Sequence, residues 1–411
     1  MITLPQGIQS ANFYDLINFA LLQKGYNSIA DFIREAPNYW FDDEAWKELF
    51  PMAPYENAER TFMQKIGDTY TPVMATYLAE DAETPLISNE GFEMRTNEIP
   101  RMGQGFLFNS KSYDDARKLN RVGVEAVVSS AYDAFSLDVM KLLRGIHSQR
   151  TFTSLQIESK GSYITTKQNN NGGIQGFKID MNPLAANRKG AGGFGTKGVK
   201  AVYTDPNANP IGDLQDMFEY GWRNRIISAD PSRSVFRMAD ATWETIKNHP
   251  NTRKAVAMWK VGYLVSAENL AGVNVTDADL KAYLSSLNLP AVSISKTYGF
   301  YEKVNKDTQK IEKASMSAFE ENTVVLRPAG AMGQMQWARV SNLFATADVP
   351  MYYTDGGAIA IQEDKNARAK GIKFSAETLC VPVPTAIERV LYLNTAEAAS
   401  FEFALAEDVA P

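Results

Sequence analysis

The sequence is poor in the residues that build metal and redox sites. It holds one cysteine, Cys380, so no disulfide can close within the chain and no thiolate cluster can form. The only two histidines, His147 and His249, exclude a multi-histidine metal site, and neither belongs to a ligand-spacing motif. No Gly-x-Ser-x-Gly elbow is present to make a nucleophile of a serine. No run of about 18 uncharged apolar residues occurs, so no membrane-spanning helix is expected. The opening MITLPQGIQS lacks the basic-then-apolar pattern of a secretory signal, so a soluble, intracellular protein is expected. Positive charge is not in excess either. A net charge of −6 over 411 residues excludes a chain that coats nucleic acid by neutralising phosphates along its whole length.

What is present is ordinary core material: 45% of the residues are apolar, enough for two or three domains or one elaborate one. The stretch RKGAGGFGTKGVK, 188–200, looks like a phosphate cradle but fails in detail. Gly190 and Gly195 have the Walker spacing, yet Thr196 stands where the lysine belongs and Gly198 where the chain follows Lys197, so no hydroxyl reaches a metal. Neither a strand before it nor a helix after it is evident, so the dinucleotide fingerprint fails too. A flexible connector is expected. Acid runs such as Asp42-Asp43-Glu44 and Glu363-Asp364 read as solvated surface. Lys296, Lys303, Lys306, Lys310 and Lys313 alternate with Glu302, Asp307 and Glu312, which reads as a polar hairpin rather than a nucleic-acid track. No catalytic constellation, cofactor site or metal site is expected, and no enzyme.

The order of elements is more informative. Short amphipathic helices fill the first 50 residues, and the aromatics Trp40, Phe41, Trp46 and Phe50 among them are expected as an arm that docks on another subunit. TPLISNEGFEMRTNEIPRMGQGFLFN, about 84–110, is an extended ribbon too long to sustain itself in water. Its Phe92, Met94, Arg95, Glu98, Ile99, Arg101 and Met102 are expected to meet a neighbouring chain. A long helix follows over 112–146, with a capping pair Ser112 and Asp115 and a face made by Val124, Val128, Phe135, Val139 and Leu142. FTSLQIE, SYITTK and GFKIDM read as short strands. Helices and strands alternate from 211, including a helix capped by Thr276 with Asp279, and the end of the chain is strand-rich.

These pieces resemble, in their order, the major capsid proteins of tailed bacteriophages with the Hong Kong 97 type fold, closest to the lambda-like major capsid family. The likeness is carried by the ribbon, the long helix, the run GDLQDMFEYGWRNRIISADPSRSVFRMADATWETIKNHPNTRKAV, the hairpin leading into NTVVLRP, and KGIKFSAETLCVPVPTAIERVLYLNT. The resemblance implies an α+β subunit with an N-terminal arm (1–80), an extended β-ribbon loop (81–111), a peripheral domain with a spine helix (112–210), an axial domain (211–370) and C-terminal strands returning to the peripheral domain (371–411). It implies self-assembly through pentamers and hexamers into an icosahedral virion shell around double-stranded DNA, touched weakly and non-specifically, in the host cytoplasm. Its implied partners are a scaffolding protein, a portal and a decoration protein, with no membrane. A tail or baseplate structural protein, and an enzyme with a dispersed site, are the alternatives.

Overall fold

The computed structural model describes residues 13–35, 45–66, 93–109, 124–166, 169–170, 176–181, 199–262, 274–304, 311–341, 350–366 and 371–398. The glycine-rich stretch 188–198 and the Ser112–Asp115 cap lie outside them. The fold is mixed α+β, organised by one helix, α4 (Val124–Lys160), of 37 residues and therefore about 55 Å long. It stops where Gly161 takes a left-handed φ of 68°, which glycine adopts without steric cost.

A five-stranded antiparallel sheet packs on this helix. Its central strand β14 (Gly371–Pro384) pairs with β13 (Ile359–Asn366) and β3 (Arg101–Asn109) on opposite edges, and with β11 (Gly333–Ala338) towards its end; β12 (Met351–Thr354) extends β13. Helices α1 (Phe13–Gln23) and α2 (Ile29–Glu35) cover the other side of α4, and the short α3 (Ala45–Leu49) also touches it; Phe135 lies 5.7 Å from Phe32 and 5.5 Å from Phe374 between ring centroids.

A second unit is built on a four-stranded sheet in the order β15 (Leu391–Asn394), β10 (Thr323–Pro328), β6 (Ser234–Ala239), β7 (Ala291–Ser295). Only β6 and β7 are parallel, and a parallel pair needs a long crossover. The helices α6 (Asp240–Asn248), α7 (Pro250–Val261) and α8 (Asp277–Ser286) lie in it, while α5 (Pro210–Arg223) precedes β6. Their apolar faces and this sheet form a separate core around Trp243, Phe236 and Leu326. The Thr276–Asp279 capping box at the start of α8 is complete in both directions. Two-stranded pairs complete the fold: β1 (Thr61–Ile66) with β2 (Glu93–Glu98), β4 (Ser162–Ile164) with β5 (Lys178–Asp180), and β8 (Tyr298–Val304) with β9 (Ile311–Ser317).

Three sequence expectations are corrected. FTSLQIE is not a strand but the last turns of α4. β11, β12 and β13, in the range expected for the axial unit, belong to the sheet on the long helix, while β15, in the range expected to return there, joins the other sheet. PAVSISKTYGFYE is two strands in two different sheets rather than one.

Candidate functional site

The described residues contain no group of three or more His, Cys, Asp or Glu side chains placed to hold a metal, and no helix long and apolar enough to cross a membrane. The polar chemistry of the molecule is concentrated instead along the inner half of α4, where every residue from Arg150 to Ser159 is buried.

Arg150 is the first node. Its Nη1 lies 2.5 Å from Oδ2 of Asp355, its Nη2 donates to Oγ1 of Thr378 at 3.1 Å, and its Nε donates to Sγ of Cys380 at 3.3 Å. The guanidinium also lies 5.1 Å from the ring of Trp46, which stacks on His147 at 5.8 Å. Burial pushes the His147 imidazole down to about 3, helped by the charges of Arg150 and Lys47 and opposed by Asp355.

Glu158 is the second node. Its fully buried carboxylate accepts from Nε of Arg327 at 2.7 Å and from Nε and Nη2 of Arg237 at 3.1 and 3.3 Å. Arg237 belongs to β6 and Arg327 to β10, so this clasp ties the long helix to the second unit's sheet. Gln156 adds a bond to the Ala318 carbonyl, Ser159 accepts from the Glu320 amide, and Lys160 pairs with Glu320 at 2.6 Å.

The residues expected from the sequence to make contacts fall into distinct groups. Phe135, Val139 and Leu142 are buried against the sheet and α1–α2. Val124 and Val128 lie on α4, and Met94 and Arg95 on β2; Phe92, Trp40 and Phe41 are outside the described residues. Trp46 and Phe50 are fully buried in this chain's own core. Ile99 is only 4% exposed and packs into the same core. Arg101 bonds to Glu377 of its own chain at 2.6 Å, and Met102 is half-buried against the core. Glu98, Arg101 and Met102 nevertheless share the wall of one groove of about 810 Å³. Arg60 lines it at the ribbon's base, Gly145 and Gln149 on α4, and Phe177 beside β5.

The buried nodes escaped the sequence reading because their partners are remote. Arg150 is 205, 228 and 230 residues from Asp355, Thr378 and Cys380. The only local signal is the density of polar residues in QRTFTSLQIES, unusual for a segment buried on all sides.

No protein-family model matches the chain, and no curated protein matches it. Among solved structures it is similar to a phage-related protein from Bordetella bronchiseptica, with 14% identity, a TM-score of 0.43, and 88% of this chain and 95% of that one covered. It is also similar to a chain of the satellite phage P4 procapsid (9% identity, TM-score 0.39, 98% and 94% covered). A third is a chain of the capsid of the cyanophage P-SCSP1u (9% identity, TM-score 0.38, 85% and 87% covered).

Proposed function

We propose that this chain is the major capsid protein of a tailed phage, with a Hong Kong 97 type fold, forming pentamers and hexamers that close into an icosahedral shell around double-stranded DNA. Its role is structural rather than catalytic. The observation that carries the reading is the layout itself. A two-stranded ribbon of β1 and β2 leads directly into β3 of a sheet laid on a long helix, and a separate helix-and-sheet unit is clasped to that helix's far end. The groove at the ribbon's base offers a seat for an extended segment of an adjacent subunit, with Glu98 and Arg101 exposed on its wall. A net negative charge suits a shell that DNA is driven into rather than one that binds it tightly.

Electron microscopy of the purified full chain, with and without a scaffolding protein, tests this. Closed isometric particles are expected. Tubes or isolated six-fold rings would favour a tail protein, and a compact monomer under all assembly conditions would overturn the reading.

A further inference from the structure

We infer that His147 is an acid-sensitive latch: when its imidazole gains a proton, α3 lifts off α4 at Trp46, while the chain from Leu49 onward stays in place beside β11. The latch is a stack of side chains. The Trp46 ring lies 5.8 Å from the His147 ring between centroids, with 24° between their planes, and 5.1 Å from the Arg150 guanidinium. Trp46 is fully buried, yet among the described residues its indole N–H has no hydrogen-bond partner. Packing alone holds this side chain, and a buried donor left unpaired costs stability. α3 has only five residues, too few to persist as a helix once that packing goes. Firm anchors begin at its end. Leu49 and Pro51 accept from the Met332 and Met335 amides at 2.8 and 2.9 Å, the Ala53 amide donates to Met335 at 3.0 Å, and the Trp337 indole donates to Ala53 at 2.9 Å.

Charge supplies the trigger. His147 is buried, and the charged groups around it are mostly cations. On α4, Arg144 and Arg150 stand three residues to either side of it, the spacing at which helix side chains meet. On α3, the Lys47 ammonium lies 5.8 Å from the Trp46 ring, and Glu48 beside it points to solvent. The carboxylate that opposes them is Asp355, on the turn between β12 and β13, and it already holds Nη1 of Arg150 at 2.5 Å. From β14, Cys380 accepts from the same guanidinium. A proton on His147 therefore puts a second buried cation beside one whose acid is taken. Water relieves that charge, and the Trp46 ring must move before the imidazole reaches water. The closed imidazole is held near about 3 and an exposed one titrates near about 6.5, so the ratio of lifted to docked α3 rises about 25-fold between about pH 7 and about pH 5. The latch belongs to the single chain and does not depend on the shell reading.

The test is cleavage of the full chain by a glutamate-specific protease at about pH 7 and about pH 5, each rate divided by that of an unstructured peptide of the same local sequence. Cutting after Glu48 reports lifted α3, and cutting after Glu377 on β14 reports unfolding of the sheet. When reclosing outpaces cleavage, each rate follows the population of its open form. Cutting after Glu48 is expected to rise about 25-fold between the two pH values, and cutting after Glu377 less than about twofold. His147→Gln should reduce the rise after Glu48 to less than about twofold. Trp46→Phe, which leaves the imidazole in place under an aromatic ring, should keep the pH dependence. Equal rises after Glu48 and Glu377 in the wild type would show that acid unfolds the sheet as a whole, and would overturn the inference. No rise after Glu48 would overturn it as well, and neither result needs a variant to fold. A folded His147→Gln chain with the wild-type rise would assign the trigger to another group.

Discussion

Arg150 keeps a guanidinium out of water by having every arm held, the condition under which a buried charge is tolerated. Its neighbour His147 gives that environment a measurable consequence. The unfolded chain holds a histidine near its ordinary value of about 6.5, whereas burial and the adjacent cations hold the folded His147 near about 3. Between those values the unfolded state binds a proton that the folded state does not. Stability from this residue is therefore complete above about 6.5 and falls as pH drops towards about 3. For His147 alone the loss near pH 5 is about 2 kcal/mol. His147→Gln removes the titrating group, so its urea midpoint should change less between about pH 7 and about pH 5 than the wild type's. Identical changes in the two proteins would mean that the imidazole is not held neutral. No motif announces this node. Trp46 and Phe50 could be recognised as members of an aromatic cluster, but the guanidinium and imidazole behind them come from α4, about a hundred residues later.

The long helix and the strand beside it meet through a notch. Gly145 leaves the Lys141 and Leu142 carbonyls accessible, and Nε2 of Gln104 on β3 donates to both, at 3.0 and 2.7 Å. A Cβ on Gly145 would sit 1.8 Å from that nitrogen, so Gly145→Ala must expel the Gln104 side chain. Alanine gains about 1 kcal/mol of helix propensity, against two lost hydrogen bonds of about 0.5–1.5 kcal/mol each. Gly145→Ala should be neutral to destabilising in the wild type and stabilising in a Gln104→Ala background, a sign change that a double-mutant cycle in urea reads directly. The same sign in both backgrounds would exclude the notch. This contact explains why the ribbon was only partly legible. Its extended character shows in the sequence, but pairing partners do not, and β3 uses its own chain's β14 along nine residue pairs. The end of α4 was misread for a related reason. A helix buried on all sides has no polar face, so the periodicity that marked Phe135, Val139 and Leu142 disappears beyond Arg150.

At the scale of the whole molecule, the question is what fixes one unit against the other. One face of the second unit's sheet has its own core, while Ala239, Val325 and Tyr392 on that sheet pack into the main core; beside this apolar contact stands the ionic clasp of Glu158, Arg237 and Arg327, with the turn around Glu320 seated on the end of α4. Removing one member leaves buried charge uncompensated, so Glu158→Met alone should cost about 3–5 kcal/mol. Replacing all three together, Glu158→Met with Arg237→Met and Arg327→Leu, removes the desolvation cost along with the attraction and should recover most of that stability. The two outcomes separate stability from geometry. Apolar side chains pack without a preferred direction, whereas a carboxylate held by two guanidinium groups fixes the angle at which the sheet meets the helix. On the shell reading proposed above, that angle sets the curvature between neighbours. The triple variant should therefore be a stable folded chain whose particles are more varied in size, or fewer, than the wild type's when counted by electron microscopy. Wild-type particles from a stable triple variant would show that the clasp does not set the geometry, and that the packing around Gln156 and Ala318 holds the two units in place without it.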